Sequence, residues 1–166
     1  MKNNLDHIAL ILDGNKRWAK KNYFSNLYGY TKGFENIKNI VKSSLSINLS
    51  NLTIFALSSE NFNRSSISVI YNIIYENFSK MFDELVKDKG VKINIFGSRE
   101  NLPKKIIDIF EKSEKLSKNN KNLNLNIAFN YGFKNELKNI FRKFQEQNIK
   151  INLEDNQDIK NLFFLE

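Results

Sequence analysis

The residues best suited to chemistry lie near the start of the chain, in the run LDGNKRWA from Leu12 to Ala19. Asp13 offers a carboxylate oxygen, the kind of ligand that a hard cation prefers. Lys16 and Arg17 offer positive charge and donors to phosphate oxygens. An acid, a Gly-Asn turn and two cations therefore predict a site for a magnesium-bound diphosphate. The alternative is a common Asp-Gly turn followed by a solvated basic helix start, KRWAKK, and so short a motif leaves both interpretations open.

A strand must place these residues at its end. Ile8 to Leu12 is a short apolar run that predicts a buried strand, and Gly14 ends it because glycine accepts backbone angles that other residues resist. In open α/β sheets, ligands collect beyond the carboxyl ends of strands, where the amides of the next helix meet an anion. Two more segments repeat this apolar-to-polar pattern, from Asn51 to Ser65 and from Leu123 to Gly132.

Strands and helices alternate along the whole chain. Strands are predicted over 8–12, 52–57, 91–96 and 123–129, and helices over 31–46, 67–88, 103–118 and 134–148. Such alternation predicts parallel pairing through right-handed crossovers. No repeat, linker or low-complexity tract divides the sequence. Residues 1–166 are therefore expected to form a single α/β domain, a parallel sheet with flanking helices.

Composition narrows the class of protein. The chain has no cysteine, which excludes disulfides and thiolate chemistry. Its net charge of +8, from 26 basic and 18 acidic residues, suits a diphosphate, an anionic membrane surface or a nucleic acid. No recognised nucleic-acid motif accompanies that charge, so a basic nucleic-acid-binding domain is the least favoured alternative. Neither a secretory signal nor a transmembrane span is present at the N-terminus, and a cytoplasmic location is expected by default.

Five ordered blocks carry a family resemblance: HIALILDGNKRWAKK, YTKG, LTIFALSSENFNR, FGSRENLP and LNIAFNYG. From His7 to about Leu137 their order and spacing resemble the cis-prenyltransferases, the undecaprenyl or polyprenyl diphosphate synthases. The resemblance implies Mg²⁺-dependent condensation of isopentenyl diphosphate with an allylic prenyl diphosphate, which yields a cis-polyprenyl diphosphate, a lipid carrier precursor. The alternative is a non-catalytic or partner-dependent subunit that keeps the diphosphate site.

The resemblance also implies roles for individual residues. Asp13 would be a catalytic residue that coordinates Mg²⁺. Asn61 matches the position assigned to proton removal or substrate orientation, and positioning is favoured because an amide is a poor base. The expected substrate-binding residues are Gly14, Asn15, Lys16, Arg17, Trp18, Asn26, Tyr30, Ser58, Ser59, Glu60, Phe62 and Arg64. Trp18 would pack at the mouth of a tunnel. The structural alternatives are a core position for Trp18 and helix capping by the segment 58–61.

Some positions depart from the family pattern. Asn26 stands where the family usually has Arg, and Tyr30 where it has His, both associated with the allylic diphosphate; Phe62 replaces a usual Trp. Family members also continue past the equivalent of Leu165 into a further strand, an acidic magnesium ligand and a dimer-forming region. The chain is therefore expected to be C-terminally truncated relative to the family, with an unpaired sheet edge, and to act in a homodimer or heteromer.

Two apolar helix faces raise the question of a tunnel. On one face, apolar residues recur at three- and four-residue steps; they are Ile67, Ile70, Ile74, Phe78, Met81, Phe82 and Leu85. In the resembling family, such a helix walls a tunnel for the growing isoprenoid. The other wall would come from Phe34, Ile37, Ile40 and Val41. Ordinary packing on the sheet predicts the same pattern, so both interpretations stay open. The lipid product would also imply peripheral contact with a membrane surface.

Overall fold

The sheet that organises the molecule is fully parallel. The computed structural model describes residues 5–62 and 67–147. Its strands are β1 (His7–Ile11), β2 (Asn51–Ser58), β3 (Val91–Phe96) and β4 (Leu123–Tyr131). They are arranged in the order β1-β2-β4-β3, and each pair is parallel. All four predicted strands are confirmed, with ends that differ by at most two residues, and so is the α/β class.

In the described part of the chain, five α-helices connect and cover these strands: α1 (Asn15–Lys21), α2 (Asn26–Ser46), α3 (Ile67–Phe82), α4 (Lys104–Ser117) and α5 (Phe133–Gln147). Helix α2 begins five residues before the predicted start at residue 31, because Ser25 accepts a hydrogen bond from the Tyr28 amide at 3.2 Å and caps it. A π-helical segment, Asp83–Asp88, continues α3, so the predicted helix over 67–88 changes its hydrogen-bonding pattern before it ends.

The core lies between one face of the sheet and helices α2, α3 and α4. Leu52 and Ile54 of β2 are completely buried, and they are level with Leu125 and Ile127 of β4. The alternate residues of the strands are polar and bond to one another across the opposite face. There, the Asn94 side chain donates to that of Asn126 at 2.8 Å, and that of Asn124 donates to Asn51 at 3.0 Å. This division follows from the two-residue period of a strand.

The two edges of the sheet differ. At β3, helix α4 satisfies the outward amides: Ile93 donates to Ser117 Oγ at 3.0 Å, and Ile95 donates to Glu114 Oε1 at 2.7 Å. Arg99 joins this edge by donating to the Ile95 carbonyl at 2.8 Å. At the other edge, within residues 5–62 and 67–147, β1 pairs only with β2, which agrees with the expected unpaired edge. Within those same ranges, no helix has the length and apolar composition to cross a membrane.

Candidate functional site

The turn after β1 holds the carboxylate that the sequence singled out. Gly14 has a φ of 91°, in the left-handed region that favours glycine, so the chain turns sharply between β1 and α1. Its amide donates to Asp13 Oδ1 at 2.5 Å, while Arg17 donates to Oδ2 at 3.1 Å. The side chains of both Asp13 and Arg17 are about 80% exposed. The carboxylate is thus oriented by the protein and open to a ligand.

A polar pocket of about 250 Å³ opens beside this turn, at the carboxyl ends of β1 and β2. It collects seven of the residues that the sequence assigned to the site: Asp13, Gly14, Asn15, Lys16, Arg17, Tyr30 and Asn61. The Lys16 ammonium lies 6.0 Å from the centre of the Tyr30 ring. Two cations and one carboxylate therefore face a single small volume, which suits a phosphate group accompanied by a divalent cation.

An apolar cavity of about 110 Å³ adjoins the polar pocket. The two share Leu12, Asn15, Tyr30, Ala56 and Ile70 as lining residues. Beyond that shared region, the cavity is walled by α2 and α3, by β4 and by Phe110 of α4, whose ring packs edge-on against Phe129 with centroids 5.2 Å apart. An anionic head in the polar pocket therefore has an apolar space directly behind it.

The two apolar helix faces divide between cavity and core. The members that line the cavity are Phe34, Ile37, Ile70, Ile74 and Met81. Ile40, Val41 and Leu85 do not line it, and Val41 and Leu85 are completely buried in the core. The side chains of Phe78 and Phe82 lie outside the described part of the chain. Of the tunnel wall expected on α2, Phe34 and Ile37 line the cavity, whereas Val41 packs in the core and Ile40 packs against it.

Two glycines of α2 allow the close approach that shapes both spaces. A Cβ at Gly29 would collide with the Asn15 backbone and with the side chain of Ala19, and one at Gly33 would collide with the Asn15 side chain. Helix α2 therefore packs tightly on α1 and holds Asn15 at the junction of pocket and cavity. The sequence analysis missed Gly33 as a site residue, although two glycines four residues apart share one helix face and signal such packing.

Trp18 and Asn26 lie outside both spaces. Trp18 is 44% exposed on the outer side of α1 and stacks on Phe24 and Tyr28, with ring centroids 5.7 and 6.3 Å away. It therefore lines neither the polar pocket nor the cavity, and it is not a core residue. Asn26 lines a shallow surface depression together with Lys16 and Arg17.

Most of the polar residues at the end of β2 and just after it form a short local turn and do not line the polar pocket. Ser58 Oγ accepts from the Asn61 amide at 3.2 Å and caps a 3-10 turn, Ser59–Asn61, as the structural alternative predicted. Glu60 is exposed, and Phe62 packs against the core. From this segment only Asn61 lines the polar pocket among the described residues. Arg64 lies outside the described residues.

A hydrogen bond between half-buried Tyr131 and buried Glu136 supports the end of β4. The Tyr131 hydroxyl donates to Glu136 Oε2 at 2.6 Å, and Glu136 is only 1% exposed. Burial, and then this hydrogen bond, raise the pKa of Tyr131 to about 12, so the phenol remains a donor at neutral pH. His7 likewise has a local role, since it shares a 2.8 Å hydrogen bond with Thr53. Neither Tyr131 nor His7 lines the polar pocket.

The donor set fits a cation that arrives with its phosphate. Within residues 5–62 and 67–147, no three acidic, histidine or cysteine side chains cluster to hold a metal by themselves. Mg²⁺ at phosphate sites is commonly held by one or two carboxylates, substrate oxygens and water. Asp13, exposed and beside Lys16 and Arg17, supplies the single carboxylate that such an arrangement requires.

The sequence matches one family over nearly its whole length. A model of the family described as "Putative undecaprenyl diphosphate synthase" matches residues 11–165. An undecaprenyl-diphosphate synthase of Thermococcus kodakarensis, described as tritrans,polycis and geranylgeranyl-diphosphate specific, is 33% identical over 95% of this chain and 62% of its own length. An isoprenyl transferase of Clostridium acetobutylicum is 38% identical over 86% of this chain and 58% of its own. The chain thus spans about three fifths of the relatives that it matches.

Solved structures agree with this match. Lavandulyl diphosphate synthase from Lavandula x intermedia, crystallised with dimethylallyl diphosphate, superposes with a TM-score of 0.86 at 26% identity, over 96% of this chain and 70% of the other. A probable undecaprenyl diphosphate synthase of Campylobacter jejuni shares the fold, with a TM-score of 0.67 at 23% identity, over 98% of this chain and 71% of the other. The family match and the parallel sheet agree, and the chain belongs to the undecaprenyl diphosphate synthase family.

Proposed function

We propose that the protein is a cis-prenyltransferase, which condenses isopentenyl diphosphate with an allylic prenyl diphosphate to make a cis-polyprenyl diphosphate. The observation that carries this proposal is that the polar pocket and the apolar cavity adjoin and share five lining residues. One ligand with a diphosphate head and an isoprenoid tail can occupy both. The names of the relatives, which describe isoprenyl and undecaprenyl diphosphate synthesis, support the same activity.

The charged residues would act on the leaving group. Breaking the allylic C–O bond gives the prenyl carbon carbocation character and releases a diphosphate anion, which Lys16 and Arg17 stabilise by charge. Asp13 would hold Mg²⁺, and the bound ion would add positive charge at that diphosphate. The double-bond electrons of isopentenyl diphosphate form the new C–C bond, which leaves a cation on the other carbon of that double bond. The carbon next to this cation then gives a proton to the released diphosphate, and its C–H electrons form the new double bond. Asn61, at the same pocket, would orient this second substrate.

The apolar cavity would serve the tail and the cation together. Burying a prenyl chain stabilises the complex by roughly 0.8 kcal/mol for each CH₂ group removed from water. The same lining excludes water, which would otherwise capture the carbocation and end the reaction as an alcohol. Leu12 and Ile70, which line both spaces, mark the point where the head and the tail of the substrate would meet.

A non-catalytic subunit that keeps the diphosphate site is the second candidate. Asn26 favours it, because this residue lies beside Lys16 and Arg17 where the resembling family usually has a third cation. Assembly as a homodimer or heteromer, and action in the cytoplasm at a membrane surface, belong to the proposal on the grounds of the resemblance and of the net charge of +8.

The test separates binding from turnover. We would incubate the protein with labelled isopentenyl diphosphate, farnesyl diphosphate and Mg²⁺, extract the lipid product, and follow farnesyl diphosphate binding by the fluorescence of the single tryptophan, Trp18. Labelled polyprenyl product that disappears in Asp13→Ala is the expected result. Mg²⁺-dependent binding without any product would favour the non-catalytic subunit. Absence of binding by calorimetry as well would contradict both candidates.

A further inference from the structure

The hairpin of α1 and α2 carries an unusual exposed surface. Its five large apolar side chains range from 40% exposed for Tyr28 to 99% for Tyr23, and they are Trp18, Tyr23, Phe24, Leu27 and Tyr28. We call these residues, with the cations around them, the aromatic-basic surface. Exposed apolar residues scattered singly are ordinary on a protein surface, but a contiguous group of large ones marks an interaction site.

Packing within the fold does not account for this surface. Trp18 stacks on Phe24 and on Tyr28, the tilted rings of Phe24 and Tyr28 have centroids 4.6 Å apart, and all three side chains still face solvent. Tyr23 has a φ of 60°, a conformation that costs energy for a bulky residue, and its side chain is almost completely exposed. The chain thus presents an aromatic ring on a strained turn without burying it.

Most of the charges around these rings are positive. Between Asp13 and Glu35 the sequence has no acidic residue and five basic ones: Lys16, Arg17, Lys20, Lys21 and Lys32. Lys16, Arg17, Lys20 and Phe24 line one shallow depression, so cations and rings are neighbours in space. The Lys32 ammonium lies 5.4 Å from the Tyr28 ring centre and also pairs with Glu35 at the border of the surface.

We propose that the aromatic-basic surface docks the protein on an anionic lipid bilayer. Aromatic and aliphatic side chains insert at the boundary between headgroups and acyl chains, and lysines beside them are attracted to anionic lipids. A second copy of this chain fits the surface poorly, because the contact would press two sets of five cations together. This inference rests on the membrane contact that belongs to the proposed function and names the surface that makes it; the vesicle test needs no turnover, so its outcome is separate from that of the reaction.

The position of the surface explains what docking would achieve. Lys16 and Arg17 line both the polar pocket and the depression beside Phe24, so the surface and the pocket share a border. Docking by this surface turns the pocket opening toward the headgroups. An amphiphile with an anionic head and a hydrocarbon tail then passes between bilayer and pocket without crossing bulk water, where exposure of its tail is unfavourable.

The experiment is sedimentation of the protein with vesicles of phosphatidylcholine alone or mixed with phosphatidylglycerol. We expect binding to the anionic vesicles only. Lys20→Glu combined with Lys21→Glu should weaken binding about tenfold or more, since each lysine at the surface contributes electrostatic attraction. Tyr23→Asn combined with Leu27→Gln should weaken it roughly fivefold by removing apolar area. Asn accepts positive φ and Gln suits a helix, so both variants should keep the wild-type melting temperature.

Matched controls lie elsewhere on the molecule. Lys118→Glu with Lys121→Glu makes the same change in net charge at the other end of the sheet, and Phe141→Gln removes a ring that is 63% exposed on α5. Both should bind anionic vesicles like the wild type. Equal loss in the controls, equal binding to pure phosphatidylcholine, or wild-type binding by Tyr23→Asn/Leu27→Gln would overturn the proposal. The proposal would also be overturned if the wild-type protein did not bind vesicles but self-associated in ultracentrifugation, and if Tyr23→Asn/Leu27→Gln abolished that self-association.

Discussion

Basic, asparagine-containing depressions lie at both ends of the sheet, and they differ in what lies behind them. The depression at the amino ends of β3 and β4 has a volume of about 540 Å³ and is lined by Lys92, Lys118, Asn119, Asn120, Lys121 and Asn124. The polar pocket at the carboxyl ends is smaller, about 250 Å³. Only the polar pocket contains a carboxylate and shares lining residues with the apolar cavity. Size and positive charge alone therefore do not identify the site.

The asparagines at the two ends have different uses. At the amino end, the Asn120 side chain donates to the carbonyls of Val86 and Val91, both at 2.9 Å, and so ties the loop before β4 to the π-helical segment and to the start of β3. The Asn124 side chain donates to the side-chain oxygen of Asn51 at 3.0 Å. These amides are part of the scaffold. At the carboxyl end, Asn15 and Asn61 line the polar pocket, where a ligand can reach them.

Replacement of Asp13 should have the largest effect. Asp13→Ala should lower Mg²⁺-dependent affinity for farnesyl diphosphate, and any turnover, by about 100-fold or more, since one preorganised electrostatic contact of this kind typically contributes roughly 3 kcal/mol. The melting temperature should hardly change, because the side chain is 80% exposed. Calorimetric titration with and without Mg²⁺ measures the effect. If the variant retains wild-type Mg²⁺ dependence, the pocket has been assigned to the wrong carboxylate.

Tryptophan substitutions distinguish cavity from core along α3 and its π-helical continuation. Ile74→Trp fills the apolar cavity, so it should weaken farnesyl diphosphate binding about tenfold while dimethylallyl diphosphate, with its shorter tail, still binds. Leu85→Trp enters packed core and should instead cost roughly 1–3 kcal/mol of stability without this preference for short tails. Parallel measurements of melting temperature and of affinity for the two diphosphates decide the matter. If both variants lose stability, and each loses affinity for the two diphosphates equally, the cavity is ordinary core packing and not a site for the tail.

Alkaline unfolding tests a feature that only the carboxyl end has. Tyr131 keeps its proton in the folded protein to a pKa of about 12, against 10.0 for the free side chain. Below pH 10 its contribution to stability is complete. Between the two values the unfolded phenol ionises while the folded one does not, so that contribution is lost as pH rises. Tyr131→Phe should cost about 1–2 kcal/mol at neutral pH and should show a shallower alkaline decline in urea denaturation. If the variant loses stability at alkaline pH as steeply as the wild type, groups other than Tyr131 cause that loss.

The amino-end depression should give the smallest effect. Lys118→Glu combined with Lys121→Glu should change farnesyl diphosphate affinity by less than about twofold, because exposed charges far from a ligand are screened by solvent and salt. The same titrations provide the measurement. A loss as large as that of Asp13→Ala would mean that the ligand binds at the amino end of the sheet and would reverse the comparison between the two depressions.

The strands were predictable because their apolar runs are short and end abruptly in polar residues. The start of α2 was not, because it depends on the cap at Ser25 and not on periodicity. The extent of the cavity was also beyond the sequence. Ile74 and Leu85 belong to one apolar stripe, yet only Ile74 meets empty space, since packing in three dimensions decides where side chains leave a gap.

The residues of the polar site also differ in how well the sequence predicted their positions. Asp13, Lys16 and Arg17 follow one strand, and their proximity is a local consequence of the turn at Gly14. Ser58 and Trp18 carry the same family resemblance, but Ser58 is used as a cap and Trp18 stacks on the outer surface. The stacking of Trp18 on Tyr28 joins two separate helices, which a motif does not encode, whereas the cap at Ser58 is a local contact that the structural alternative predicted. Tyr30 was assigned from the resemblance alone, and the structure brings it to both spaces.

The central claim is that one ligand spans the polar pocket and the apolar cavity. Methyl NMR of isoleucine-labelled protein tests it most directly, because Ile73, Ile74 and Ile127 line only the cavity, while Ile47 and Ile93 line neither space. Geranyl diphosphate with Mg²⁺ should shift the methyl signals of the first three and leave the last two unchanged. Inorganic diphosphate with Mg²⁺ should leave all five unchanged. Cavity signals that stay still with geranyl diphosphate, or that move equally with inorganic diphosphate, would contradict the account.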